Sequence, residues 1–405
     1  MPDGLPFLTA NLPGTGGALK ERPEDFVVEE LPLYEPSGQG EHVCCLVQKT
    51  GLSTFDAIDR MADALGARRG DIGYAGMKDA QAVTRQLFSI WGTTEEAVAG
   101  LRLPGLEVQW ARRHGNKLRL GHLAGNRFSV KVRGVAAADQ PRAPAILDVI
   151  QKRGLPNYFG EQRFGHRHNN HLLGAAVIRS DDAALLKLLL GGADASIDDA
   201  QSAGARRAFD QGELERAMRL YPRRCGIERR VLARLIKTGK PHVAARAIDE
   251  RLRRLWVSAL QSDLFNRLVA QRVDALDRLL DGDLAWKHDN GAVFLVESAA
   301  AEQSRCDVME ISPTGPLVGY RMTLPGGRPL EMEQAVFASA GLKPDDFRQA
   351  GHHKVKGSRR PLRVLVGDVQ LGCGVDDRGP HLALTFTLPA GSFATTLLRE
   401  VTKSP

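Results

Sequence analysis

Over residues 126–133 polar and apolar side chains alternate strictly. Asn126, Phe128, Val130 and Val132 fall on one face and Arg127, Ser129, Lys131 and Arg133 on the other, the two-residue period of a strand with one buried side. Asn126 is the polar member of the apolar face: it is either a satisfied core amide or one that orients a carboxylate or a ligand carbonyl. Phe26 and Val28, alternating with Asp25, Val27 and Glu29, predict a half-buried edge strand that Pro23 opens. Residues 42–48 predict another strand, and residues 381–388, with Leu382, Leu384, Phe386 and Leu388 in phase, predict one that Pro389 ends. Residues 106–119 read as a basic strand pair. Helical spacing is as plain elsewhere. Ser53 is an N-cap with Asp56 three residues on, Ile58, Met61, Ala62 and Leu65 follow on one face, and Gly66 closes the segment.

The chain changes character after Pro156. Residues 172–278 are mostly helical in pattern, with Leu185, Leu188 and Leu189 in one amphipathic segment and Leu255, Leu260, Leu264 and Leu268 in a longer one. Beyond them come a short strand at 292–296, a helix near 331–340, a basic loop entering a strand over 357–366, and a capped helix start over 391–400. A strand-rich beginning and end around a helical middle predict an α/β (α+β) protein with one domain inserted into another, since chain termini often lie close together. The boundaries fall at 1–155, 156–356 and 357–405.

Composition narrows the function. With 43% apolar and 25% charged residues, the 405-residue chain can build substantial cores and is not a disordered polymer. A formal charge of +7 suggests a polyanionic partner. The arginines at 206, 207, 216, 219, 223, 224, 229, 230 and 234 crowd one region, and as a group they favour RNA or DNA phosphates over a merely solvated face. Five cysteines without a Cys-x-x-Cys pair suit reduced thiols in the cytoplasm. The N-terminal residues do not read as a secretion signal, and no run of about 18 apolar residues suggests a membrane span. His166, His168 and His171 lack the carboxylate or cysteine cluster of a metal site and suit phosphate or surface contacts.

Candidate chemistry concentrates at residues 71–90, where Lys78 and Asp79 follow Gly73 and Gly76. A short strand, a tight loop and a second strand present Lys78 and Asp79 at the tip, with Thr84, Gln86, Leu87 and Ile90 anchoring it and Arg85 facing a phosphate or the carboxylate. On spacing alone a plain hairpin turn is the commoner reading of such a stretch. Five blocks together decide otherwise: Lys20 to Glu29 with Pro23, Asp25, Phe26 and Val28; Gly76-Met-Lys-Asp-Ala to Gln86; Gly125-Asn-Arg-Phe128; Asn157-Tyr-Phe-Gly to Gly165; and Gly391-Ser-Phe-Ala-Thr to Glu400. In this order they resemble the TruD family of tRNA pseudouridine synthases across nearly the whole chain.

The resemblance implies a pseudouridine-synthase catalytic domain with a mixed or antiparallel sheet, an inserted α/β TRUD domain, and isomerisation of a tRNA uridine, uridine-13 in bacterial members, to pseudouridine. It implies Asp79 as the catalytic carboxylate, Lys20 as its neighbouring cation, and Asn126, Phe128, Phe393, Lys78 and Arg163 as substrate-binding residues. It implies no cofactor, no metal and no membrane, tRNA as partner, and action as a monomer. Asp263, where the family usually has an aromatic residue, departs from the pattern. A non-catalytic RNA-binding protein with the same basic cleft is the rival reading, against which Asp79 and Lys20 speak. A DNA-binding regulator lacks a helix-turn-helix or zinc module.

Overall fold

The computed structural model describes residues 4–78, 80–348 and 354–404. The chain divides into two compact units, one made of Phe7–Leu155 with Val364–Pro405, the other of Met1–Pro6 with Pro156–Arg363.

The unit made of Phe7–Leu155 with Val364–Pro405 is built on an eight-stranded sheet. Its strands are β1 (Phe26–Pro32), β2 (His42–Thr50), β3 (Ile72–Tyr74), β4 (Val83–Trp91), β5 (Leu106–His114), β6 (Leu123–Arg133) and a C-terminal hairpin, Gly367–Asp376 and Gly379–Pro389. The order runs from the hairpin through β6, β1, β4 and β2 to β5, with β3 paired to β4. β1 and β4 are parallel and the remaining pairs antiparallel. Helix α1 (Thr54–Leu65) has the expected Ser53–Asp56 capping box and ends on Gly66 in the left-handed region, φ 63°. It lays Ala57, Ile58, Met61 and Ala62 on Val43, Cys45, Val47, Phe88 and Ile90, a core sealed from water.

Two strand expectations change. β1 lies in the interior of the sheet, with β4 on one side and β6 on the other. Its polar residues suggested an edge because their counter-charges come from distant sequence, Arg85 for Glu29 and Lys78 for Glu30. Residues 106–119 give one strand, β5, that pairs with β2, rather than a strand pair.

Charge fastens the N-terminal segment to this sheet. Arg133 grips the buried carboxylate of Asp25 through both Nε (2.7 Å) and Nη2 (2.6 Å), and reaches Asp376 of the hairpin at 2.8 Å. The last helix, Ala394–Thr402, is tied to the chain start by Glu400, which accepts from the backbone N–H of Leu8 (2.8 Å) and the hydroxyl of Thr9 (2.6 Å). That helix starts after Phe393, a side chain that cannot accept a hydrogen bond, so it lacks the side-chain cap its sequence suggested.

The second unit is mainly helical around a four-stranded sheet. Its longest helix, Glu250–Arg272, is buried along Trp256, Leu260, Leu264 and Leu268. It meets the helix Asn170–Ile178 at Gly174, where any Cβ would strike the carbonyl of Trp256. Among the described residues no helix is long and apolar enough to cross a membrane.

Candidate active site

The β1–β6 register sets the site. Val28 lies opposite Phe128 and Glu30 opposite Asn126, so Phe26, Val28 and Glu30 share a sheet face with Asn126, Phe128 and Val130. Phe128 is only 7% exposed. Its ring stacks on Phe386 at 5.2 Å between centroids and meets Phe26 in a T-shaped contact at 6.2 Å. Lys20 holds a left-handed backbone, φ 57°, uncommon for a residue with a long side chain. Its Nζ stands 4.5 Å from the centre of the Phe26 ring.

At the polar end of the same face, Lys78 Nζ lies 2.8 Å from Glu30 Oε2 and donates to Asn126 Oδ1 at 2.6 Å. The Lys78 and Glu30 side chains are 5% and 1% exposed. Burial pushes the Glu30 carboxyl above its ordinary 4.5, and the Lys78 ammonium pulls against that rise. An ammonium only donates hydrogen bonds. The Asn126 amide therefore turns its oxygen to Lys78 and keeps the Nδ2 hydrogens for another acceptor.

Helix α1 also supports the loop. The Lys78 backbone N–H donates to Thr54 Oγ1 (2.9 Å), the Thr54 hydroxyl donates to Gln86 Oε1 (3.1 Å), and Gln86 Nε2 donates to the carbonyl of Gly76 (2.6 Å). Gly73 is required by close approach, since a Cβ there would lie 2.6 Å from Ser89 Oγ and closer still to the Leu118 carbonyl. At Gly76 a Cβ would come no nearer than 3.4 Å to Lys78 Nζ, so space alone does not demand glycine there. Arg85 donates to Gln48 (3.1 Å) and stands 3.5 Å from Glu29, its register partner on β1. Asp79 lies outside the described residues.

The structure thus brings Lys20, Lys78, Asn126 and Phe128 to one face of adjacent strands. Phe393 belongs to the turn after the hairpin, which is fastened near the Asn126 end of β6 by the Ala390 N–H on the Ala124 carbonyl, 3.2 Å. Arg163 is part of the other unit, where its guanidinium lies 5.3 Å from the Phe159 ring centre and burial lowers its pKa. In that unit too, Asp263 is buried and paired with Arg267 at 2.8 Å. Among the described residues no group of three His, Cys, Asp or Glu side chains could hold a metal.

Sequence reading missed Glu30 and Thr54. Glu30 was legible: counting by two from Phe26 and Val28 lands on it rather than on Glu29, whose side chain points to the opposite face. Thr54 carried no signal, because nothing local distinguishes the first residue of a capped helix that also serves a distant loop.

A sheet face with a buried lysine–glutamate pair, a left-handed lysine and an amide with donors to spare is a preorganised polar site of the kind an enzyme scaffold presents. A family profile described as tRNA pseudouridine synthase D (TruD) matches residues 4–401. A tRNA pseudouridine synthase D of Geobacter metallireducens is 50% identical over 98% of this chain and 97% of its own length. One of Anaeromyxobacter dehalogenans is 36% identical over 99% and 97%. The crystal structure of a Methanosarcina mazei protein assigned to TruD superposes with a TM-score of 0.84 at 27% identity, covering 98% of this chain and 96% of that one. The chain belongs to the TruD family of tRNA pseudouridine synthases.

Proposed function

We propose that this protein isomerises a uridine of tRNA, uridine-13, to pseudouridine, with Asp79 as the catalytic carboxylate. In the reaction the bond from C1′ of the ribose to N1 of uracil breaks, the base turns, and a bond from C1′ to C5 forms, N1 gaining a proton as C5 loses one. The step requires a carboxylate that acts on the sugar, as nucleophile or as base, and no change of oxidation state. The observation that carries the reading is the anchoring of Lys78, the residue before Asp79, by Thr54 through its backbone and by Glu30 and Asn126 through its side chain. A main chain fixed this tightly beside the reacting group is what positional catalysis needs.

In this reading Lys20 keeps Asp79 ionised, and Asn126 Nδ2 donates to a uracil carbonyl of the extruded nucleotide. Phe393 packs on the base, while Phe128, already stacked on Phe386, forms the floor beneath. Residues 156–356 act as the inserted domain that holds the RNA by its backbone, with Arg163 among the contacts. The protein works as a monomer in the cytoplasm, without metal or organic cofactor.

Purified protein incubated with an unmodified tRNA transcript is expected to form pseudouridine, detected by mass spectrometry of the digested RNA. Asp79→Asn is expected to abolish conversion while tRNA binding persists. Full conversion by that variant removes Asp79 from the mechanism, and conversion by neither protein leaves only the RNA-binding alternative.

A further inference from the structure

The arginines that crowd residues 206–254 do not form one surface. Several are scaffold. Arg206 is 5% exposed and donates to the carbonyls of Leu189 (2.8 Å) and Gly191 (3.1 Å). Arg229 donates to those of Met218 (2.8 Å) and Tyr221 (2.7 Å), and Arg253 to that of Ala245. Arg216, Arg224 and Arg254 are paired with Glu213, Asp199 and Glu250. These guanidiniums are engaged in holding helices together or in neutralising neighbouring acids.

Four other cations are arranged differently. Arg230, Arg234 and Lys237 project from the helix Gly226–Thr238, and Arg246 follows the short helix Pro241–Ala245, all lining one hollow of 440 Å³. The rest of its lining is Ala233, Val243 and Ala247, and no carboxylate among the described residues contributes. All four cations are exposed. Arg230 and Arg234 stand one helical turn apart and Lys237 nearly a turn further, spacings at which like charges repel and destabilise a helix. Ala233 and Ala247 leave the space between the cations open, where longer side chains would fill it.

We propose that this hollow is an anion site that takes phosphates of the RNA backbone. The partner class rests on the tRNA reading above; the convergence of four unneutralised cations on a small-residue floor does not. Guanidiniums at adjacent turns offer paired N–H donors to a phosphodiester, and the hollow exceeds what one phosphate needs, so neighbouring sugar enters with it. Contacts of this kind hold RNA without reading its sequence.

The test is salt-dependent binding of an unmodified tRNA transcript to the full chain. Arg230→Gln with Arg234→Gln keeps good helix formers in place while removing two charges. It is expected to weaken binding and to lower the slope of log K against log [KCl] by about 1.4–1.8, two contacts at roughly 0.7–0.9 each. Arg207→Gln with Arg219→Gln removes the same charge from exposed positions outside the hollow and is expected to change the slope by less than about half as much. Equal losses in the two pairs would mean diffuse attraction and overturn the site, as would an unchanged slope in the first. Arg246→Gln, which lies outside the long helix, repeats the measurement should the helix variant lose helicity by circular dichroism, with an expected fall of about 0.8. Competition by inorganic phosphate as strong as by RNA backbone would assign the hollow to a free anion and overturn the proposal. Binding alone is read, so a failure of pseudouridine formation in the parent protein leaves this result interpretable.

Discussion

Replacing Lys78 with Met isolates the buried pair at the site. The thioether fills much of the lysine's volume, but Glu30, 3% exposed, loses the ammonium 2.8 Å away. Keeping that carboxylate ionised and unpaired costs about 3–5 kcal/mol. The side chain has a cheaper course, which is to take up a proton. At pH 7 protonating a group whose ordinary pKa is 4.5 costs about 3.4 kcal/mol, and the cost falls by about 1.4 kcal/mol for each pH unit towards 4.5. Because the carboxyl's pKa in the folded variant is raised, the acid form favours folding below the ordinary value, and that contribution is lost as pH rises. Lys78→Met is therefore expected to be destabilised by about 3 kcal/mol at pH 7 and by under about 1 kcal/mol at pH 5. Adding Glu30→Gln should remove most of the pH dependence. Urea unfolding at pH 5, 6 and 7, followed by hydrogen exchange in peptides covering β1 and β6, reads this unit separately from the other. A loss of the same size at pH 5 and pH 7 would refute the assignment of Glu30 as the orphaned charge.

Two further outcomes follow from the same frame. Thr54→Val removes only a hydroxyl, but it orphans the Lys78 N–H and Gln86 Oε1, so tRNA conversion should fall with a stability loss of about 1–3 kcal/mol; unaltered turnover would show that the loop needs no support from α1. Asp25→Asn should cost about 3 kcal/mol at pH 7. Arg133 holds the Asp25 carboxyl below its ordinary 3.8, so the stabilisation is complete above that value and lost as pH falls below it and through the lowered one, and the gap between parent and variant should narrow by about 1 kcal/mol from pH 5 to pH 3. A gap of the same size at pH 5 and pH 3 would mean the aspartate acts by packing rather than by charge.

Local rules carried a good part of the fold. The Ser53–Asp56 cap, the Gly66 stop and the alternation that puts Asn126 beside Phe128 are nearest-neighbour effects, and the structure has each of them. What the sequence did not disclose depends on partners far along the chain. β1 was misplaced at an edge because Lys78 and Arg85, which neutralise its acids, come some 50 residues later. The arginine cluster looked uniform because pairing with Asp199 or a carbonyl is decided by helix packing, not by spacing. Even the glutamate of the site was one step of alternation away.

The sheet's connectivity also sets a timetable. β6 ends at Arg133, but the hairpin that covers its outer edge begins only at Gly367. At about 5–20 residues per second, roughly 12–47 s of synthesis separate the two, with the intervening unit made in between. For that interval β6 is the open margin of an unfinished sheet, the kind of edge that recruits foreign strands. Its Arg127 and Lys131 later bind Asp368 and Asp376 of the hairpin, and before it arrives they are like charges without those partners, which discourages another strand from docking. The cations that close the finished sheet by pairing thus guard the nascent one before they pair.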